Sequence, residues 1–189
     1  MRKGILAIIL GLILLGVQAG IAVADINLVQ NGGFETGDLT GWSWTGSNDP
    51  SINGVITGYQ HSGSYSAYFG EESLLGYLSQ SIYTTSGQTY KVTFWLQNLL
   101  DGTPSEFSVS WNGITQIDLI NSSAFPYTEF TFTAVATSDS TPLIFGFRHD
   151  PDFFDLDDVK VTAVPLPATF LLFGPCLAGL AMIRRRLMN

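Results

Sequence analysis

Toward its C-terminal side the chain reads Phe153-Phe154-Asp155-Leu156-Asp157-Asp158-Val159, three carboxylates set among apolar residues. Strand alternation directs Val159 and Val161 to a core and puts Asp157 on that same side, where an unpaired carboxylate is costly to desolvate. No arginine or histidine lies near in sequence except Arg148 and His149. A hard cation held by oxygen ligands would neutralise the carboxylate, and calcium suits sites that mix carboxylates with backbone carbonyls. The competing reading places Asp157 at a bulge facing water. A second chemistry is sugar stacking, which needs exposed rings flanked by hydrogen-bonding side chains, because a pyranose offers an apolar face and polar edges. Trp95, beside Gln97, is the first candidate; Tyr59 and Trp44 follow, in loop-like surroundings. Trp42 and Trp111 are expected in the core.

Other chemistries are poorly served. All 16 acidic side chains lie between Asp25 and Asp158, and the middle of the chain, between its apolar ends, has only three basic ones, Lys91, Arg148 and Lys160. Binding to nucleic acid requires the opposite sign and is excluded. The one cysteine, Cys176, sits in the C-terminal apolar run, so the middle of the chain has no thiol for a disulfide, a zinc site or a nucleophile. His61 or His149 could join an accidental Ser-His-Asp set, but no Gly-x-Ser-x-Gly nucleophile elbow occurs, and the chain is read as a non-enzyme.

The elements that must position these residues are strands. From Asp25 to Thr162 short alternating runs are separated by Gly, Asn, Asp, Ser and Pro, with no long stretch of helical period. This predicts an all-β sandwich over residues 25–162, a single domain of about 140 residues that can bury its own core. In Tyr90 to Gln97, Tyr90, Val92, Phe94 and Leu96 share one face and Lys91, Thr93, Trp95 and Gln97 the other. Asn112-Gly113 marks a hairpin. A three-residue loop with a bulge pairs Trp111 with Thr115, Val109 with Ile117 and Phe107 with Leu119, matching apolar with apolar. Further strands are expected at Ser64 to Phe69, Leu78 to Tyr83, Thr128 to Ala136, Leu143 to Arg148 and Asp157 to Thr162. Arg148-His149-Asp150-Pro151 is expected to form a turn in which Arg148 pairs an aspartate.

Both ends carry membrane signals. Residues 1–24 read as a signal peptide: Arg2 and Lys3 precede an apolar run from Gly4 to Val17, and Ala22-Val23-Ala24 has the form signal peptidase accepts. That run is short of the roughly 20 residues needed to span a bilayer, so cleavage before Asp25 is preferred to an uncleaved anchor. Residues 163–189 contain Val164-Pro165-Leu166-Pro167-Ala168, an apolar stretch to Ile183, and Arg184-Arg185-Arg186. The stretch is adequate for a tilted transmembrane helix, and the arginines should stay cytoplasmic, leaving the acidic domain outside the inner membrane. Pro165 and Pro167 keep an extended hinge before the span. This tail resembles the PEP-CTERM sorting signal of Gram-negative bacteria that make exopolysaccharide, in its VPLPA variant, with Leu166 where the commoner form has glutamate. The resemblance implies export and processing by an exosortase, with the product at the cell surface or in the extracellular matrix. A plain C-terminal anchor is the alternative.

The middle carries a second resemblance. Asn31-Gly32-Gly33-Phe34-Glu35-Thr36-Gly37-Asp38, His61-Ser62-Gly63-Ser64-Tyr65, Gly87-Gln88-Thr89-Tyr90 and Phe153-Phe154-Asp155-Leu156-Asp157-Asp158-Val159 together resemble the galactose-binding-like jelly roll of many carbohydrate-binding modules, and Phe145-Gly146-Phe147-Arg148 resembles the segment that precedes the last strand in such domains of PEP-CTERM proteins. The resemblance implies a structural calcium held by Glu35 and Asp157, with carbonyls from the His61 to Ser64 turn as further ligands. Two functions are then open: a surface protein that binds extracellular polysaccharide, or a structural matrix or adhesion protein whose sandwich calcium merely stiffens.

Overall fold

Runs that alternate every second residue cannot present a helical stripe, and the chain forms strands instead. The computed structural model describes residues 26–150 and 152–165. The signal segment, and the sorting tail from Leu166 through Pro167 and Ala168 to the arginines 184–186, lie outside the described residues. Ten strands follow in order: β1 (Ser43–Thr45), β2 (Asn53–Ile56), β3 (Ser66–Phe69), β4 (Gly76–Tyr83), β5 (Thr89–Asn98), β6 (Ser105–Trp111), β7 (Ile114–Ile120), β8 (Phe125–Val135), β9 (Ser140–His149) and β10 (Phe154–Ala163). They make two five-stranded sheets, ordered β1-β4-β9-β6-β7 and β2-β3-β10-β5-β8. Every strand pairing is antiparallel. Among the described residues there is no helix, and hence none long and apolar enough to cross a membrane.

The core is the space between the sheets, filled by alternate residues. In β6, Phe107, Val109 and Trp111 are buried while Glu106, Ser108 and Ser110 are half-buried. Phe69, Phe94, Phe107, Phe145, Phe147 and Phe154 are all fully buried. Phe69 of one sheet stacks on Phe147 of the other at 4.2 Å, and Phe94 meets Phe145 edge-on at 5.2 Å. Each such ring contributes roughly 1.5–3 kcal/mol by leaving water, and each well-placed aromatic pair about 0.5–1.5 kcal/mol more. Trp42 and Trp111 are buried, as expected.

Three details differ from expectation. The short strands β1 and β2 were not anticipated, because three or four residues do not establish a period. The β6–β7 hairpin keeps the expected pairs Phe107–Leu119 and Val109–Ile117, but Trp111 faces Ile114 across a two-residue loop. Asn112 (φ 53°) and Gly113 (φ 75°) both adopt the left-handed conformation that a type I′ turn requires. The extra residue is therefore not in the loop but between Thr115 and Ile117. Finally, Arg148 and His149 end β9 rather than forming a turn, although Arg148 does pair Asp150, at 3.2 Å.

The most consequential difference is in β10. Asp157 pairs with Trp95, and the register then shifts so that Lys160 pairs with Thr93. Asp158, at φ 51°, is the bulged residue. A bulge reverses the parity of alternation, so Asp157 does not share the core face of Val159 and Val161. It lies with Asp155 on the outer face of the second sheet, yet it is fully buried there rather than facing water.

Candidate functional site

Strand pairing composes the outer face of the second sheet. One row runs Gly54 on β2, Tyr68 on β3, Asp155 on β10 and Gln97 on β5. The next contains Asp157, Trp95 and Glu129 on β10, β5 and β8. Against the first row lies a groove of about 380 Å³, walled by the apolar Ile56, Tyr59, Tyr68, Leu99 and Phe153 and by the polar Ser51, Asp152 and Asp155. Tyr68 meets Phe153 edge-on at 5.6 Å and is fixed by donating its hydroxyl proton to the Pro50 carbonyl. Tyr59 is 51% exposed. Rings of this kind beside buried polar atoms are what an amphipathic ligand of modest size requires.

The polar floor is strained electrostatically. Asp155 is 6% exposed, and its Oδ2 accepts a hydrogen bond from Gln97 Nε2 at 2.7 Å. Burial pushes its carboxyl up to about 6, the Gln97 bond opposing and the charge of Asp152 adding to the shift. Asp157 is likewise raised to about 6 by burial, although the amides of Ser62, Asp158 and His61 hold it down.

A turn spanning residues 61–65 closes one end of this face, and two carboxylates organise it. Asp157 Oδ2 accepts from the amides of His61 at 2.9 Å and Ser62 at 3.1 Å, and Oδ1 from Asp158 at 2.7 Å. Glu35 accepts from Ser64 at 2.9 Å and Tyr65 at 3.1 Å. Gly63, at φ 66°, permits this: a Cβ there would stand 2.2 Å from Glu35 Oε1. Glu35 and Asp157 thus both accept from one turn, whose Ser62 hydroxyl also donates to Asp158. In the structure the turn's amides satisfy both carboxylates. Among the described residues no group of three or more His, Cys, Asp or Glu side chains is arranged to hold a metal.

The anticipated ligand-binding residues separate. Tyr59 lines the groove. Gln97 is not in its wall but is buried and bonded to Asp155, which is. Trp95 is on the same face, but one side of its indole is covered by His61, whose ring stacks on it at 3.7 Å and is held by Asp158 at 2.7 Å. Tyr127 packs edge-on against His61 and donates to the Tyr59 carbonyl, tying β8 to this loop. Trp44 is elsewhere: on β1 of the other sheet, its ring stacked on Phe69 at 4.8 Å and its Nε1 donating to the Ser47 carbonyl. Sequence reasoning missed Tyr68, Phe153 and Asp155. Alternation carried the signal for two of them, since core positions at Ala67, Phe69, Phe154 and Leu156 turn Tyr68 and Asp155 outward.

No protein-family model matches the sequence, and no curated protein matches it. Solved structures do. TmCBM61, determined in complex with β-1,4-galactotriose, superposes with a TM-score of 0.59 at 22% identity over 74% of this chain and 99% of its own. The CBM22-1 xylan-binding domain of Paenibacillus barcinonensis Xyn10C gives 0.56 at 16% identity over 77% of this chain and 99% of its own. The enzymatically active domain of bacteriophage CBA120 tailspike protein 4 gives 0.57 at 14% identity, with only 22% of that chain covered. With two packed antiparallel sheets and whole-domain superposition on such modules, the described part of this protein has the jelly-roll fold of carbohydrate-binding modules.

Proposed function

We propose that this protein is an exported, non-catalytic surface protein whose sandwich binds polysaccharide in the groove on the outer face of the β2-β3-β10-β5-β8 sheet. The observation that carries the reading is the groove itself, where the rings of Tyr59, Tyr68 and Phe153 share the wall with buried Asp155, a carboxylate held in place by Gln97. Rings supply a platform for the apolar face of a pyranose, and the Asp155 carboxylate supplies an acceptor for its hydroxyls. A module solved with galactotriose and a xylan-binding domain share the fold, which supports a glycan ligand. Binding is tested on an array of neutral polysaccharides. Tyr68→Ala should weaken it roughly tenfold, the equivalent of about 1.4 kcal/mol, with no change in melting temperature beyond a few degrees. Affinity retained alike in Tyr59→Ala, Tyr68→Ala and Trp95→Ala would remove the sugar platform.

The proposal extends to sorting and to calcium. The leader and the tail from Val164 to Arg186 support signal-peptidase and exosortase processing in a Gram-negative cell. The intact mass of the exported protein should lack residues 1–24 and the segment after the sorting motif; an unprocessed mass refutes this. Val164 itself is bonded to the sandwich, its amide donating to the Thr89 carbonyl at 2.9 Å, while Pro165 is exposed. Convergence of Glu35 and Asp157 on the 61–65 turn supports calcium as a structural ligand of that corner, where it would supply positive charge to a buried carboxylate.

A further inference from the structure

The groove carries negative charge. Asp152 and Asp155 line it, and among the described residues no lysine, arginine or histidine does. Asp155 is nine-tenths buried at the groove wall. Its hydrogen-bond partner is the neutral Gln97 amide, at 2.7 Å, and the second carboxylate on the same wall is Asp152. Neither ion pair seen among the described residues, His61–Asp158 and Arg148–Asp150, uses it. Lys160, on the same strand and face, lies beyond the bulge, opposite Thr93. A fold that needed only to fill this position would do so more cheaply with a neutral side chain, because a desolvated, unbalanced carboxylate is destabilising. The neighbouring rings of Tyr59, Tyr68 and Phe153 add the electron-rich faces that attract a cation.

Resting on the sugar-binding reading above, we infer that the groove selects a polysaccharide of amino sugars with free, protonated amines, the ammonium group sitting against Asp155 and the pyranose against the tyrosine rings. Uronic-acid polymers meet Asp152 and Asp155 as like charges and are rejected. N-acetylation removes the charge and leaves a bulkier neutral group in its place, so acetylated polymers bind less well. A neutral hexose keeps the stacking but exchanges a charge-assisted hydrogen bond for an ordinary one, a difference of roughly five- to tenfold in affinity.

The test is calorimetric titration of the exported protein at low salt with three probes of equal length: an oligomer of glucosamine, the same oligomer fully N-acetylated, and an oligogalacturonate. The free-amine oligomer should bind roughly tenfold more tightly than the acetylated one, the uronate should not bind, and the preference should shrink as salt is added. Asp155→Asn should bring the first two affinities level, and Asp152→Asn should reduce the gap. Equal affinities in the unaltered protein, preference for the uronate, or a preference that survives Asp155→Asn overturns the inference. Competition by oligolysine of the same length as effective as the glucosamine oligomer would also overturn it, by showing attraction to charge without recognition of sugar. Binding of neutral glycans without amine preference refutes this inference alone, whereas absence of binding to every glycan refutes the sugar reading as well.

Discussion

Replacing Asp155 by asparagine should make the protein more stable at neutral pH, an outcome that runs against the usual cost of altering a buried residue. The carboxyl sits at about 6 in the folded chain against an ordinary 3.8. A rise of that size makes the charged form cost the fold about 3 kcal/mol. Asparagine keeps an acceptor for the Gln97 amide but brings an NH₂ group that needs its own partner, costing on the order of 1 kcal/mol. The net gain is then about 2 kcal/mol. Its pH dependence identifies the cause. A carboxyl that holds its proton more tightly when folded costs nothing below about pH 4, where both states are protonated, and the full amount above about pH 6. Urea denaturation from about pH 4 to about pH 8 should therefore show the two proteins diverging as pH rises. His149 contributes an opposite trend: burial lowers its pKa below 6.5, so its contribution is present above that value and lost as pH falls. It does so in both proteins and cancels in the difference. A variant less stable at neutral pH, or a difference that does not change with pH, would refute the premise that Asp155 is a desolvated and uncompensated charge.

Two further outcomes concern the 61–65 turn. Calcium bound to the folded state alone must raise its apparent stability, so addition of a chelator should lower the melting temperature; a curve unmoved by chelator and by added calcium would mean that the amides alone hold Glu35 and Asp157. Gly63→Ala forces a left-handed residue, at roughly 1–2 kcal/mol, and drives its Cβ onto Glu35 Oε1. Stability should fall by at least about 2 kcal/mol, and a loss under about 0.5 kcal/mol would show that the turn yields without cost.

Much of this molecule was legible in its strands. The face of β5 that carries Trp95 and Gln97, the buried Trp42 and Trp111, and the pairs Phe107–Leu119 and Val109–Ile117 all follow from period-two alternation, which a strand enforces wherever one face is dry. The site was less legible. Trp44 has the composition of a sugar-binding residue, but its place on β1 sets it against Phe69 in the other sheet. Trp95 has the expected direction, but His61, distant in sequence, covers one of its faces.

The sequence by itself determined that the middle of the chain is a sandwich of alternating strands, that it is strongly acidic, and that the two ends are apolar with basic caps, because these are properties of composition and local period. Tertiary structure alone decided where the acidity acts. The bulge at Asp158 turned Asp157 from the core face to the outer one, and strand order set Asp155 between Tyr68 and Gln97. Neither could be read from spacing, since one inserted residue reverses every side chain before it, and neighbours across a sheet are chosen by pairing between segments that lie far apart along the chain.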